Sequence, residues 1–268
     1  MSVVIITGAS DGIGAELARQ LAAEQGSNLQ LTLAARSADK LEQVATQCRQ
    51  LGAMVLVRPT DVANEADCRG LIADTVARFG HLDTLVNNAG MSAHALLEEV
   101  TDLAWYEQLM RINLWGSVWC THAALPHLKA SKGRIVAVSS LAGLVGVPGR
   151  TAYSATKFAM NGFFEALRVE LVPHGVSVTL AYPGVVATEI RYRGFNATGK
   201  AAGKSGLDES GAMTVEECAR LIREGMNQRT RDIVMSAKGK LGRWMKLIAP
   251  ALVDKLALKA LKQDVRPH

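Results

Sequence analysis

Tyr153 and Lys157, within Ala152-Tyr153-Ser154-Ala155-Thr156-Lys157, are the residues of this chain whose types and spacing best suit chemistry. Four residues apart on a helix, their side chains stack on one face. A free phenol titrates near pH 10, so one that exchanges protons at neutral pH needs a neighbouring positive charge to favour its anion. The lysine ammonium is placed to supply it. Ser139 and Ser140 lie upstream, at the end of an apolar, β-branched run. Chance also supplies such pairs on amphipathic helices, so their meaning depends on the elements that position them.

Those elements alternate. An apolar run at residues 3–7 leads into Thr7-Gly8-Ala9-Ser10-Asp11-Gly12-Ile13-Gly14 and an Ala/Leu-periodic segment to about Gln25, which reads as strand, glycine-rich turn and helix. Gly8 permits the tight turn, Gly12 lets the backbone approach a pyrophosphate at the positive end of the helix, and Gly14 allows close helix–strand packing. Glycines also end strands for structural reasons alone, and the next strand strengthens the case. Residues 29–35 end at Arg36-Ser37, where a dinucleotide's adenosine ribose would lie. A carboxylate there binds a ribose 2′-hydroxyl and an arginine suits a 2′-phosphate, so Arg36 favours NADP over NAD; the bland alternative is a solvated arginine at a strand end.

A helix over 39–50, a strand over 54–58 closing on Thr60-Asp61-Val62, a helix over 65–79 and a strand over 84–87 continue the alternation. Asn87-Asn88-Ala89-Gly90 follows, then a long helix with Trp105, Leu109, Ile112 and Trp115 that carries Asn113 in its middle, where asparagine is a poor helix former. A strand over 134–138 delivers Ser139 and Ser140, and the helix holding Tyr153 runs to about Leu171. A strand over 177–181 ends at Tyr182-Pro183-Gly184. Residues 188–213 lack periodicity and read as a mobile loop, a natural lid over the cofactor end of the sheet. A helix over 215–226 and a strand over 232–235 complete an α/β pattern, which predicts a doubly wound parallel sheet with helices on both faces and right-handed crossovers.

The whole chain sets the bounds. Its 268 residues are 49 % hydrophobic with a mean hydropathy of +0.11, room for one large domain. No apolar run approaches the roughly 18 residues of a membrane span. The first residues already read as a strand, leaving no room for a secretory signal, and the expected location is the cytoplasm. Cys48, Cys68, Cys120 and Cys218 lack metal-ligand spacing and read as reduced, buried apolar residues, so no metal is expected. The net charge of +5 belongs to the tail: from Lys238 onward eight Lys/Arg face two Asp. The main body offers no basic face with motif support, which argues against nucleic acid.

With these residues in place, the chain resembles the short-chain dehydrogenase/reductase family over about residues 3–236. The resemblance rests on Thr7-Gly8-x-x-x-Gly12-x-Gly14, Asp61-Val62, Asn87-Asn88-Ala89-Gly90, Asn113, Ser140, Tyr153-x-x-x-Lys157 and Pro183-Gly184-Val185-Val186-Ala187-Thr188. Ser139-Ser140-Leu141-Ala142-Gly143 and the stretch from Tyr153 to Phe164 look most like the subgroup of the NADP-linked 11-beta-hydroxysteroid dehydrogenases and their bacterial relatives. It implies a single Rossmann domain over 1–237 with a seven-stranded sheet, followed by an extension at 238–268. The implied catalytic set is Tyr153 as acid or base, Lys157 lowering its pKa and holding the nicotinamide ribose, Ser140 bonding the substrate oxygen, and Asn113 holding a water in the proton relay. The implied cofactor contacts are Gly8, Ser10, Gly12, Ile13, Gly14, Arg36, Ser37, Asp61, Val62, Asn88, Ala89, Gly90, Pro183, Val186 and Thr188, with Tyr153 and Lys157. One departure is Asp11, where many NADP-preferring members carry a basic or neutral residue.

The implied activity is NADP-dependent hydride transfer to or from a carbonyl or secondary alcohol of a lipophilic substrate. A 3-oxoacyl-carrier-protein reductase is the alternative within the class, and a non-catalytic dinucleotide sensor the alternative outside it. Met91, Val147 and Tyr192 are candidate specificity residues, and family members are usually homodimers or homotetramers. In the tail, apolar Leu241, Trp244, Met245, Leu247, Ile248, Leu252, Val253, Leu256 and Leu261 alternate with Lys240, Arg243, Lys246, Lys255, Lys259 and Lys262 around Pro250. These predict two amphipathic helices with basic polar faces, expected to pack on the core or a second subunit; peripheral membrane contact is the other reading.

Overall fold

Val3 and Ile5 pack into one helical layer while Val4 and Ile6 pack into the other, so the first strand is apolar on both sides. That is the signature of a parallel sheet covered on both faces. The computed structural model describes residues 1–205, 209 and 211–264. Seven parallel strands, β1 (Ser2–Thr7), β2 (Leu29–Ala35), β3 (Met54–Pro59), β4 (Thr84–Asn87), β5 (Arg134–Val138), β6 (Ser177–Tyr182) and β7 (Asp232–Val234), lie in the order β3-β2-β1-β4-β5-β6-β7. Chain direction reverses its progress between β1 and β4, which opens a crevice at the strands' carboxyl ends.

Helices α1 (Gly12–Gln25) and α2 (Ala38–Gln50) cover one face with α8 (Val215–Asn227), burying Leu17, Leu41 and Ile222. The other face is covered by α3 (Glu65–Phe79), α5 (Gly116–Ser131) and α6 (Thr151–Glu170), burying Leu71, Leu128 and Phe164. All four cysteines are buried and unbridged, two on each side, as expected of small apolar residues. Asp11 starts α1 by accepting the Gly12 N–H at 2.6 Å, and Asn64 starts α3 by accepting from Ala66 and Asp67.

Two places depart from the sequence pattern. The expected long helix around Asn113 is α4 (Ala104–Met110) joined to α5 by a π turn over Arg111–Trp115, a wide turn that accommodates a residue ill suited to an α-helix interior. The loop over 188–213 contains α7 (Ile190–Arg193); residues 206–208 and 210 of that loop lie outside the described residues.

Past β7 come α9 (Ala237–Ile248) and α10 (Pro250–Asp264), two helices divided at Pro250 as the sequence predicts. α9 does not turn its apolar stripe to the core, one of the two packings expected of it. α9 docks through glycines and cations, and Leu241, Trp244, Leu247 and Ile248 point to solvent instead of packing on the core. The side chains of Leu261 and Lys262 lie outside the described residues.

The closest packing at the crevice lies where α1 leaves the glycine turn. A methyl group added at Gly14 would press on the Gly8 carbonyl oxygen and stand 2.5 Å from Asn88 Nδ2. Gly14→Ala is therefore expected to destabilise by about 1–3 kcal/mol, exceeding the ~0.4–1 kcal/mol gained by restricting the unfolded chain. Thermal unfolding should register a fall of several degrees, at about 2–4 °C per kcal/mol for larger domains; an unchanged or raised midpoint would contradict this packing.

Candidate active site

The crevice is tied together by Thr7. Its hydroxyl donates to Val86 O at 3.2 Å and accepts the N–H groups of Asn88 and Ala89 at 3.0 Å each. Asn88 returns the contact, its amide donating to the carbonyls of Thr7 at 2.9 Å and Gly8 at 3.2 Å. The turns after β1 and β4 are thus one unit. Gly8 and Gly12 both adopt positive φ, 68° and 52°, which L side chains rarely tolerate, so no side chain stands at either position where the turn enters α1.

Next to this unit the helix α6 presents Tyr153 and Lys157, 8 % and 3 % exposed. Lys157 Nζ donates to Val138 O at 2.9 Å and lies 5.8 Å from the centre of the Tyr153 ring. Ser140, at the end of β5, hydrogen-bonds the Tyr153 phenol and holds its own turn by accepting from Ala142 N at 3.2 Å. Behind it, Ser139 donates to Asn161 at 2.6 Å, and Asn161 donates to Gly143 O at 2.8 Å. This buried bracket fixes the Ser140 turn to α6. Pro183, after β6, contributes its carbonyl to Leu141 N at 3.0 Å.

Burial raises the Tyr153 pKa, but the positive charges of Lys157 and Arg150, the Ser140 hydrogen bond and Arg191 together outweigh it and hold the phenol below its usual value. Lys157 is also held below its usual value, by burial first and by Arg150, with the Tyr153 charge opposing. Such a pair suits proton exchange nearer neutrality than either group alone.

Arg150 was not singled out by sequence. It stands one turn before Tyr153, at the N-cap position of α6, with its guanidinium 4.2 Å over the Tyr153 ring. Its Nη2 donates to Ser92 Oγ at 2.7 Å and its Nε to Ala93 O at 3.3 Å. The three-residue spacing to Tyr153 was a readable signal; the inward direction depends on Ser92 and Ala93, far away in sequence.

Asn113 is fully buried on the π turn. Its amide donates to Met91 O at 2.9 Å and Thr156 Oγ1 at 3.0 Å, and its oxygen accepts Met91 N at 2.7 Å. Both amide donors are therefore engaged within the protein, bracing the strand β4 exit against α6. A methyl group added at Gly90 would stand 3.3 Å from Asn113 Oδ1 and 3.8 Å from Lys157 Nζ, so Gly90 leaves the room that brings these two polar groups together.

Of the remaining expected cofactor residues, Ser10 and Ile13 sit on the glycine turn and α1, Ile13 packing against the core. Arg36 and Ser37 are exposed at the end of β2, and Arg36 makes no hydrogen bond or ion pair among the described residues. Asp61 accepts Ala63 N at 3.0 Å, while Val62 packs against Gly116 at the head of α5. Thr188 reaches over the glycine turn, its methyl 3.2 Å from where a Gly12 methyl would be, and Val186 is buried, accepting from Arg191 at 2.9 Å.

The segment over 188–213 is attached to the crevice at two neighbouring points. Phe195 N donates to Ser92 O at 3.0 Å, His94 N donates to Phe195 O at 2.9 Å, and the side chains of Phe195, Trp105, Leu109, Ala93 and Tyr153 form one apolar cluster with Met91 and Val147 at its edge. On the cofactor side Arg193 forms an ion pair with Asp11. Burial raises the Asp11 pKa, but Arg193, the Gly12 N–H and Lys40 together hold it below its usual value. Tyr192 does not join Met91 and Val147; it lines a cavity of about 420 Å³ with Gly12, Ala187 and Thr188.

A parallel sheet with this switch point and a buried Tyr-Lys-Ser group at its carboxyl edge define a dinucleotide-linked oxidoreductase of the doubly wound class. The family model for short chain dehydrogenase matches residues 2–197, and the chain belongs to that family. It is 37 % identical over 267 residues to 11-beta-hydroxysteroid dehydrogenase-like 2 of Arabidopsis thaliana, covering 99 % of this chain and 83 % of that protein. It is 39 % identical over 259 residues to 11-beta-hydroxysteroid dehydrogenase A of Sesamum indicum, covering 94 % and 73 %. Among solved structures, an alcohol dehydrogenase from Thermococcus sibiricus complexed with 5-hydroxy-NADP superposes with a TM-score of 0.75 at 28 % identity, over 87 % of this chain and 94 % of that one. The chain is thus an oxidoreductase acting on CH–OH groups, in the subgroup of the 11-beta-hydroxysteroid dehydrogenase-like proteins.

Replacing Arg150 by Met removes a cation stacked on the phenol, which disfavours the tyrosinate. The Tyr153 titration is expected to move to higher pH, with Arg150→Lys restoring part of the difference. A tyrosinate absorbance titration, using Tyr153→Phe as the blank, reads this directly; an unmoved curve in Arg150→Met would contradict the role of the stack.

Proposed function

We propose that this protein is an NADP-dependent oxidoreductase that interconverts a carbonyl and a secondary alcohol on a lipophilic substrate, with Asn113, Ser140, Tyr153 and Lys157 as its catalytic set. The observation that carries the reading is the Tyr153 phenol held below its ordinary pKa by Lys157 and Ser140 inside an apolar cluster. The nicotinamide, when bound, supplies or accepts the hydride. Tyr153 gives its phenolic proton to the substrate oxygen in reduction and takes it back in oxidation. Ser140 bonds the same oxygen and stabilises charge developing there. Lys157 favours the phenolate and would hold the nicotinamide ribose, while Asn113 holds the Met91 turn against α6 and would hold a water in the proton relay. Met91, Val147 and Phe195, around Tyr153, form the apolar wall for substrate.

The residues at the crevice fit a phosphorylated dinucleotide. Arg36 is exposed at the end of β2 and free to meet a 2′-phosphate. The carboxylate of Asp11, which argues against extra phosphate charge, is paired with Arg193. The archaeal alcohol dehydrogenase named above is complexed with a hydroxylated NADP, which supports the same preference. The reading extends to a Rossmann domain over 1–237, an extension over 238–268, cytoplasmic residence and a homodimer or homotetramer. None of the described helices is long and apolar enough to cross a membrane.

A panel of ketones and aldehydes assayed with NADPH and NADH tests the activity. Tyr153→Phe is expected to lose about 10²–10⁴-fold in turnover while still binding NADPH; an active variant would sink the role of the phenol. Arg36→Ala is expected to weaken NADPH by about 1.5–3 kcal/mol for a lost charged hydrogen bond, roughly ten- to a hundredfold in Kd, and to leave NADH unaffected. Equal losses for both cofactors would remove the 2′-phosphate assignment.

A further inference from the structure

Helix α9 is docked inside out. Arg243 is turned to the protein and pairs with Asp232 at 3.1 Å, the same carboxylate that pairs with Arg168 at 3.2 Å. Lys246 is also turned inward, donating to Leu144 O at 3.1 Å and lying 4.5 Å over the Phe158 ring. One turn before Arg243, Gly239 comes so close that an added methyl group would stand 2.5 Å and 3.0 Å from the two Leu141 methyls. The opposite side carries Leu241, Trp244, Leu247 and Ile248, between 60 and 83 % exposed. α10 adds Leu252, Leu256 and Leu258, each about half exposed. A helix on a globular surface normally turns its apolar stripe to the core; here the stripe is the outer surface and two cations are spent on the inner one.

What covers this stripe is decided by its charge. Lys238, Lys240, Lys255 and Lys259 are exposed among the apolar residues, and Asp254 is the sole acidic residue between 238 and 259. A second copy meeting this face through a two-fold axis would bring the same lysines together on both sides, with one carboxylate per chain to offset them. An anionic lipid surface complements them instead, each Lys or Arg being attracted to the headgroups, while the leucines and Trp244 enter the boundary with the acyl chains. Trp is suited to that depth, with an apolar body and one polar N–H.

We propose that α9 and α10 dock the protein peripherally on an anionic bilayer, with Trp244 inserted at the headgroup level. The α9 contacts with Leu141 and Leu144 place this surface on the turn that follows Ser140. The test needs neither substrate nor cofactor, so it stands apart from the reading of Tyr153.

The full-length protein is floated with vesicles of mixed phosphatidylcholine and phosphatidylglycerol, and with phosphatidylcholine alone. Expected are flotation with the anionic vesicles only, a blue shift of emission that Trp244→Phe removes, and weakening as salt is raised. The joint charge reversal of Lys238, Lys240, Lys255 and Lys259 to Glu, all on exposed positions, should lower partitioning by roughly a hundredfold or more with an unchanged melting temperature. Absence of flotation by the full-length chain overturns the proposal, as does equal flotation with neutral vesicles. So does light scattering in which Leu241→Ser with Trp244→Ser turns a dimer into a monomer that was never lipid-bound, for a second copy would then be the occupant.

Discussion

A phenol buried among cations is the constraint on which the site depends. Burial alone would push Tyr153 away from ionisation, and Lys157, Arg150, Arg191 and the Ser140 hydroxyl reverse that direction. The reversal is costly in one respect, because each cation that helps the phenolate must itself be held out of water. The fold meets this with backbone carbonyls: Val138 O for Lys157, Ala93 O for Arg150 and Val186 O for Arg191. These carbonyls belong to segments at the carboxyl edge of the sheet, so the parallel sheet supplies the acceptors that make a buried positive cluster tolerable.

The same edge explains why so much of the molecule was legible. Strands read as β-branched runs because both faces are buried, and turns read as glycines because backbone must approach backbone at Gly8 and Gly14 and the Asn113 and Lys157 side chains crowd Gly90. The Tyr153–Lys157 register followed from helical spacing alone. The rest was hidden for definite reasons. Arg150 points inward because Ser92 and Ala93 receive it, and Asp11 is neutralised by Arg193, which lies 182 positions later; no local pattern encodes either partner. Periodicity correctly marked α9 as amphipathic, but periodicity is symmetric with respect to which face docks. Close approach at Gly239 and the carboxylate of Asp232 chose the polar face.

The lid illustrates a different limit. Its composition, rich in Gly, Lys, Ala and Ser, carries no periodicity because its order comes from single attachments: Phe195 to Ser92, Arg191 to Glu209 and Arg193 to Asp11. Two of these are ion pairs on one short helix, α7. Arg193 joins the segment to the glycine turn, Phe195 joins it to the Ser92 turn, and Arg191 with Glu209 ties it to itself.

The wide turn at Asn113 works as a phase shift. Before it, α4 turns Trp105 and Leu109 toward the Tyr153 cluster; after it, α5 turns Cys120, Ala124 and Leu128 toward the sheet. A single uninterrupted α-helix would carry one stripe along its length and serve one partner. The extra residue in the turn lets a continuous rod face two neighbours in succession, and it does so at the point where a buried amide must meet Met91 and Thr156. Chain length in this rod is thereby quantised: removing one residue there would return the helix to a single stripe and rotate the downstream half off the sheet it covers.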